Sequence, residues 1–471
     1  MYNLRRLIAT FQIIRLEYFH YKYRLKTNTM NTTMYHLTFI TLCCVLMFSE
    51  WYCLGILTIA WVFQLAHLVC TCATLKKPRY NGVQDRIKRE YYHKSGVSIL
   101  KPLMGCTDTL EENLETYFTL DYPVYEIIFC VETKEDPAVA VIKKLQAKYT
   151  DVCTIISDGL EDIGINPKLN NMITGYRVAQ YDLVWVADAN IVASDAALQD
   201  MVDRCVDGCR LVHQIPWGIS GPMVSPTLGA MSCGSILERW YFATSHARPY
   251  MVVNNSICTC LNGMSNLISK PHLDKIGGLE RFANILNEDG EIGVAFDQYG
   301  YETAICKHVA IQNFGTFDIC DYINRRVRWM RLRNKFAKIS SFTPLELIID
   351  NHLCGLLCVV MLSYWHESIS TMFILYHLVG WLLVDSLVFM CMDAAVALPN
   401  GWQDNIFDWG RVSNRPRGTY YFCFNVLEHY IMWMTRECIG VYIRLKALQK
   451  TSQVTWKDNQ FNLDQESPKD E

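Results

Sequence analysis

The sequence lacks the features that define several common protein classes. It contains no Cys-x-x-Cys pair, and its 20 cysteines are scattered through apolar runs (Cys43, Cys44, Cys354, Cys358, Cys391) instead of framing short loops. That pattern excludes a disulfide scaffold and points to reduced thiols. Cys70/Cys72 and Cys258/Cys260 are Cys-x-Cys pairs with no His or Cys partners at zinc-like spacing, so they do not read as a metal centre. Charge is sparse as well. Only 19% of residues are charged, the net charge is -3 and the pI is near 6.5, which leaves no broad basic field for nucleic acid. No early apolar run ends in a small-residue cleavage site, which argues against a secretory signal peptide.

Apolar residues are abundant: 51% of the 471 residues are hydrophobic and 12% aromatic, which predicts a globular domain joined to membrane segments. Residues 1–33 form a basic arm suited to a membrane surface, with Arg5, Arg6, Arg15, Lys22, Arg24 and Lys26 against Glu17. Residues 34–75 carry one formal charge, Glu50, and as one helix would measure about 60 Å, roughly twice the hydrocarbon core. Trp51 to Leu75 is long enough to span, and a hairpin turning at Ser49-Glu50 would leave both basic flanks, including the 76–95 linker, on one side. Residues 96–342 read as the globular domain and 343–450 as membrane helices, followed by a polar tail at 451–471 that is expected to be disordered from Lys457. The three C-terminal apolar segments, Leu345–Trp365, Ile369–Met392 and Tyr420–Leu448, carry Glu346, Asp350, Asp385, Glu428, Arg436 and Glu437. A central Asp or Arg costs about 3 kcal/mol on insertion scales, so these helices should turn polar faces toward one another.

The middle of the chain alternates short apolar strands with amphipathic helices, the pattern of a wound α/β sheet. Strands are predicted at Val97–Pro102, Tyr125–Val131, Val152–Ile156 and Asp182–Ala187, with helices at Thr107–Leu120 and from Pro167 to Gln180. Asp136 follows the second strand and Asp188 the fourth, at the edge where open α/β sheets bind ligands. Helix capping accounts equally well for an aspartate before a proline at Asp136-Pro137. Asp188-Ala189-Asn190 is a degenerate Asp-x-Asp, with a carboxylate able to reach a divalent cation on a diphosphate. Lys168 lies near a helix start, where it could neutralise phosphate or simply be solvated. The stretch after Gln214 reads as irregular through Ser256, and His246 within it is either an acceptor-pocket residue or a structural histidine.

Asp289, in Asn287-Glu288-Asp289-Gly290, is a third acid at a loop-to-helix boundary, and roughly 35 residues later comes the pentad Arg325-Arg326-Val327-Arg328-Trp329. On a helix predicted over Cys320–Ala337, Arg325 and Arg328 share a face where two guanidinium groups could clamp phosphate, with Trp329 as an apolar wall. A basic helix on anionic lipid is the alternative use of this stretch. The segment from Gly290 to Asn313 reads as the loop that shapes the acceptor pocket.

Asp136, Asp188, Glu288-Asp289 and Arg325-x-x-Arg328-Trp329, in this order, resemble the D,D,D,(Q/R)xxRW signature of inverting membrane glycosyltransferases. Lys101-Pro102-Leu103, Asn113-Leu114-Glu115-Thr116, Leu120-Asp121-Tyr122-Pro123, Gly164-Ile165-Asn166-Pro167-Lys168, Thr244-Ser245-His246 and Thr435-Arg436-Glu437 narrow the resemblance to the ceramide glucosyltransferases. It runs from about Glu50 to about Trp456. The resemblance implies a GT-A type, Rossmann-like mixed sheet facing the cytosol on a multi-pass Golgi membrane protein, and transfer of glucose from UDP-glucose to the primary hydroxyl of ceramide with inversion. It further implies that Asp289 is the base, that Asp136, Asp188, Lys168, Arg325, Arg328 and Trp329 serve the nucleotide sugar, and that His246 and Trp329 serve the acceptor. Asp188 would be the ligand of a divalent cation, Mg2+ or Mn2+. The implied partners are UDP-glucose, ceramide and the lipid bilayer; homo-oligomer formation stays open, and nucleic acid is not expected.

Two departures accompany the match: the paired acids before Pro137 read Glu135-Asp136, and Gly290-Glu291-Ile292 replaces an aromatic stretch. A related transferase acting on a polyprenyl phosphate or a growing polysaccharide shares the acids and the membrane attachment. A scaffold or transporter with an inactive α/β domain is the reading from another class, and it leaves the three acids in the globular middle without a purpose.

Overall fold

In the computed structural model the described residues are 50–75, 96–219, 233–315, 317–336, 352–366, 371–397, 399, 419–449, 453–456 and 459–462. The basic arm, the first part of the 34–75 segment, the 76–95 linker, and Glu346 and Asp350 therefore lie outside the described residues.

In chain order, α1 (Glu50–Leu75) precedes β1 (Val97–Pro102), α2 (Leu110–Phe118), β2 (Tyr125–Val131), α3 (Ala138–Lys148), β3 (Cys153–Asp158), α4 (Pro167–Val178) and β4 (Leu183–Ala187). Next come β5 (Ile191–Val192), α5 (Asp195–Val206), β6 (Leu211–His213), β7 (Pro216–Ile219) and α6 (Cys233–Trp240). A π-helical turn (Tyr241–His246) joins α6 to α7 (Ala247–Ser256), and β8 (Ser265–Ser269), α8 (Lys270–Lys275), α9 (Glu288–Gln298), β9 (Thr303–Ile305) and β10 (Ala310–Asn313) follow. The chain then runs through α10 (Ile319–Phe336), α11 (His352–Trp365), α12 (Thr371–Asp393), α13 (Thr419–Leu448), β11 (Gln453–Trp456) and β12 (Asn459–Asn462).

The main sheet has the order β3-β2-β1-β4-β8-β6-β9. The first four strands are parallel and β8 runs antiparallel to β4, with Ala187 opposite Ser265. The C-terminal ends of β1, β2 and β4 and the entry to β8 thus share one edge. Tyr125–Val131 and Val97–Pro102 were expected to be strands from their β-branched and aromatic runs, and buried residues fill both faces of β2. One apolar cluster packs α2, α3 and α5 on one face through Tyr117, Ile142 and Met201. A second packs α4 and α9 on the other through Leu169, Ile173 and Phe296. This mixed, helix-covered sheet is the α/β class predicted.

A smaller sheet, β5-β10-β7, couples the domain to the apolar helices α1, α12 and α13. Trp217 of β7 lies 5.1 Å from Phe389 of α12, and Trp240 of α6 lies 4.7 Å from the same ring. Trp217, Trp381 and Trp433 are fully buried in this junction. Each indole removes about 200 Å² from water, worth up to roughly 5 kcal/mol before entropy is counted. Among the described residues two helices are long and apolar enough to cross a membrane, Glu50–Thr74 and Met372–Asp393, with the shorter apolar His352–Trp365 beside them.

Three expectations need correction. The stretch through Ser256 is not irregular: from Cys233 it forms a continuous helical path with one π turn, because Leu237, Phe242, Ala243, Ala247 and Met251 recur at helical spacing as buried residues. Gly290 to Asn313 is not a loop but α9, β9 and β10. Gly293 lets α9 approach closely, since a Cβ there would stand 2.8 Å from the Thr259 carbonyl. The tail from 451 contains the β11–β12 hairpin, held by Arg331, which donates to the Gln453 carbonyl at 3.0 Å, and by Val454 packed on Leu286.

Candidate active site

Backbone geometry brings Asp188, Gly263 and Asp289 together. Asp188 leaves β4 at the sheet edge, and its N–H donates to the Met264 carbonyl at 2.9 Å, tying it to the chain entering β8. The turn after it rests on Lys101, a fully buried lysine of β1 that donates to the Asp188 carbonyl at 2.6 Å. Burial drives the Lys101 pKa well down, with the Asp188 charge opposing. Tyr117 donates to the Ile191 carbonyl at 3.0 Å, closing the same turn. Sequence reasoning passed over Lys101, although a lysine inside an otherwise apolar strand was the available signal.

Lys168 is more deeply engaged than a solvated lysine. Its ammonium meets Asp188 Oδ1 at 2.9 Å, the Gly263 carbonyl at 2.7 Å and Glu288 Oε1 at 3.6 Å. Burial lowers its pKa, yet the charges of Asp188 and Glu288 outweigh burial and the net shift is upward. Asn166 supports the group twice: its Oδ1 accepts from the N–H groups of Lys168 and Leu169 as the cap of α4, and its Nδ2 donates to Glu288 Oε2 at 3.0 Å.

Asp289 sits in the first turn of α9 beside this group. Burial raises its pKa to about 7, and the neighbouring Glu288 adds to the rise while Lys168 opposes it. A Cβ built on Gly263 would lie 3.2 Å from Lys168 Nζ and 3.4 Å from Asp289 Oδ2. The bare glycine therefore keeps a gap between the ammonium and the carboxylate. A carboxyl group that titrates near neutrality at a strand-edge cleft is suited to take a proton.

Asp136 lies on the same edge but does a different local job. Its carboxylate accepts from the N–H of Ala138 at 2.8 Å and of Gly105 at 2.9 Å, so it caps α3 and holds the loop leaving β1.

The pentad on α10 approaches from the other side. Arg325 donates to Gln312 Oε1 at 3.0 Å, and Gln312 donates to Asn190 Oδ1 at 3.0 Å. Asn190, the residue in place of a second acid, is thus a structural link between the Asp188 turn and the pentad. Burial lowers the Arg325 pKa to about 10 and lowers that of Arg328, and the Asp188 charge reaches both guanidinium groups. The helix is not merely a lipid-facing basic surface. Glu238 of α6, fully buried, pairs with Arg326 at 3.0 Å and lies 3.4 Å from Arg325. Arg326 stacks over Trp329 at 3.8 Å and over Tyr241 at 4.3 Å. Glu238 and Arg326 were missed because neither occupies a named position of the signature.

His246 closes the π turn. Its ring stacks on Tyr250 at 5.1 Å, meets Phe242 edge-on at 5.5 Å and lies 6.4 Å from Trp329. Burial, with help from Arg326, lowers its pKa to about 3, so it is a neutral aromatic wall near pH 7. Tyr250 ties this wall to the base side: His213 Nδ1 lies 2.5 Å from its hydroxyl, and Asn262, next to Gly263, donates to it at 3.0 Å.

With this geometry in view, residues 56–468 match the family model described as Glycosyl transferase family 21. The chain belongs to glycosyl transferase family 21. The match extends through the hairpin expected to be a tail. "Ceramide glucosyltransferase 3" of Caenorhabditis elegans is 30% identical over 370 residues, covering 78% of this chain and 72% of that protein. "Ceramide glucosyltransferase" of Komagataella phaffii (strain GS115 / ATCC 20864) is 28% identical over 434 residues, covering 78% and 82%. Among solved structures, the mannosyltransferase PcManGT from Pyrobaculum calidifontis, in complex with GDP-Man and Mn2+, aligns at 14% identity and a TM-score of 0.41, covering 84% of this chain and 99% of that one. As a family 21 member the chain is a glycosyltransferase, with a nucleotide-sugar donor and a lipid acceptor.

Proposed function

We propose that this family 21 enzyme transfers glucose from UDP-glucose to the primary hydroxyl of ceramide in one inverting displacement, at the cytosolic face of a Golgi membrane that the chain crosses more than once. The observation that carries the site assignment is Asp289, pushed to a pKa of about 7 beside Lys168 and Asp188 at the strand edge. The ceramide oxygen attacks C1 of glucose, the bond from C1 to the UDP oxygen breaks with its electron pair going to UDP, and Asp289 takes the hydroxyl proton. A single carboxylate on the acceptor side suffices, since inversion needs no covalent intermediate.

Asp136 lies at the sheet edge for the nucleotide, Lys168, Arg325 and Arg328 face the diphosphate, and Trp329 with His246 forms the apolar wall for the acceptor. A two-chain lipid does not leave the bilayer cheaply, so packing of α6 and the π turn on α12 supports a reaction at headgroup level.

The donor set fits Mg2+ or Mn2+ of the substrate-bridged kind. Among the described residues no group of three His, Cys, Asp or Glu side chains forms a metal cage. Asp188, with its side chain 32% exposed, offers one carboxylate, and diphosphate oxygens would complete the shell. When bound, the cation would neutralise charge on the leaving diphosphate.

The test is glucosylceramide formation by the purified full chain in vesicles containing ceramide or dolichyl phosphate, supplied with UDP-glucose and Mg2+ or Mn2+. Glucosylceramide of β configuration is expected from ceramide alone. Product from dolichyl phosphate but not ceramide overturns the acceptor assignment, and full transfer by Asp289→Asn overturns the base.

A further inference from the structure

Ionisable residues inside the apolar C-terminal helices form one connected cluster. Arg248 of α7 and Arg436 of α13 both bond Asp385 of α12, and Trp433 Nε1 donates to the same carboxylate at 2.7 Å. Arg436 also pairs with Glu437, which accepts from the His352 N–H at 3.1 Å and lies 2.9 Å from His352 Nδ1. Gln64 of α1 accepts from Arg248 at 2.5 Å. Arg248, Asp385, Arg436 and Glu437 are each 2% exposed or less. Two guanidinium groups face two carboxylates, so the charges cancel and the cluster can stay buried.

One end of this cluster does not stop among the membrane helices. Arg436 Nη1 also donates to Thr244 Oγ1 and, at 2.5 Å, to Ser245 Oγ. Both hydroxyls belong to the π turn, and Thr244 also donates to the carbonyl of Trp240, the residue that leads into it. A π turn carries an extra residue per turn and persists only where surrounding contacts hold it. His246 is the next residue and the last of the turn, with its ring 5.5 Å from Phe242 and 6.4 Å from Trp329.

We infer that Arg436, held by Asp385 and Glu437, is a positioning residue for the lipid acceptor: it pins the π turn from within the membrane helices and so aims His246 at the acceptor wall. This rests on the assignment of His246 and Trp329 to the acceptor side. The donor side has supports of its own: Lys101 on the Asp188 carbonyl, Asn166 on Glu288, and Gln312 between Asn190 and Arg325. The inference therefore separates the two substrates: loosening the π turn weakens acceptor use and leaves donor binding alone.

The experiment uses the full chain in nanodiscs, measuring KM for a short-chain ceramide and Kd for UDP with Mg2+ by calorimetry. Arg436→Gln is paired with the charge-balanced double variant Asp385→Asn/Arg436→Gln, which keeps one positive and one negative group in the cluster, and with Ser245→Ala, which leaves all four charges in place. The double variant is expected to raise the ceramide KM about fivefold or more and Ser245→Ala about twofold to threefold, with the UDP Kd within twofold of the parent. Unchanged ceramide KM in both overturns the inference, as does a rise in UDP Kd that matches the rise in ceramide KM. His246→Ala is run alongside. If it leaves the ceramide KM unchanged, the acceptor-side assignment fails; if it raises KM while the cluster variants do not, only the positioning role fails.

Discussion

The cluster at the sheet edge sets one ammonium, Lys168, among three carboxylates, Asp188, Glu288 and Asp289, whereas the cluster between α7, α12 and α13 sets Arg248 and Arg436 against Asp385 and Glu437. Both are buried charge, and their difference lies in balance. The even cluster neutralises itself and can serve as a fixed anchor. The uneven one leaves a buried carboxylate without full compensation: burial, with the Glu288 charge adding to it and Lys168 opposing, raises the Asp289 pKa to about 7. Burial with incomplete compensation makes a group that exchanges protons near neutral pH; burial with matched charges makes a group that holds helices.

Removing the uncompensated group is the strongest way to break the comparison. Asp289→Asn should lower glucosyl transfer by about a thousandfold, within the range for loss of a general base, while UDP still binds. Because the folded pKa of Asp289 lies above its ordinary 3.8, ionising it opposes folding increasingly from about pH 4 to 7 and fully above that. The same variant should therefore raise the melting temperature, more at pH 8 than at pH 5.5. A gain that is larger at pH 5.5 would reverse the sign of the shift.

Unbalancing the even cluster comes next. Asp385→Ala leaves two guanidinium groups without their shared carboxylate and should cost about 3–5 kcal/mol, read as thermal stability in detergent, with a smaller loss for Asp385→Asn/Arg436→Gln. Equal losses would mean that charge balance is not what keeps the cluster buried.

A subtler change moves the edge cluster toward balance. Glu288 is the largest charge-based contributor to the raised Asp289 pKa, so Glu288→Gln should shift the acidic limb of the kcat/KM profile below pH 7 and leave the rate at pH 8 close to the parent's. The smallest effect expected is for Gly263→Ala. Its Cβ would enter the gap between Lys168 and Asp289, where a few tenths of an ångström must be yielded, and the donor KM should rise roughly threefold to tenfold.

Several elements were legible because local physics is enough to specify them. Val97–Pro102 and Tyr125–Val131 end where the predicted strands end, since short apolar runs bounded by proline or polar residues need no distant partner to be read. Asp188 and Asp289 stood out because each follows a clear strand or opens a clear helix. Glu238, Lys101, Asn166 and Gln312 did not, because their functions lie in contacts with residues far away in the chain: Lys101 reaches Asp188 and Asn166 reaches Glu288. The path from Cys233 to Ser256 looked irregular because a π turn interrupts the usual period at Tyr241–His246.

The sequence by itself determined the α/β class, the apolar segments that must meet one another, and the order of acids ahead of a basic and aromatic pentad. These follow from periodicity and composition, which a linear chain displays directly. Only the tertiary structure decided which acid is raised to neutrality, that Asn190 connects to Arg325 through Gln312, and that Arg248, Asp385, Arg436 and Glu437 form one balanced cluster reaching the π turn. A pKa and an ion pair depend on the charges and burial within a few ångströms, and those neighbours come from segments that only folding brings together.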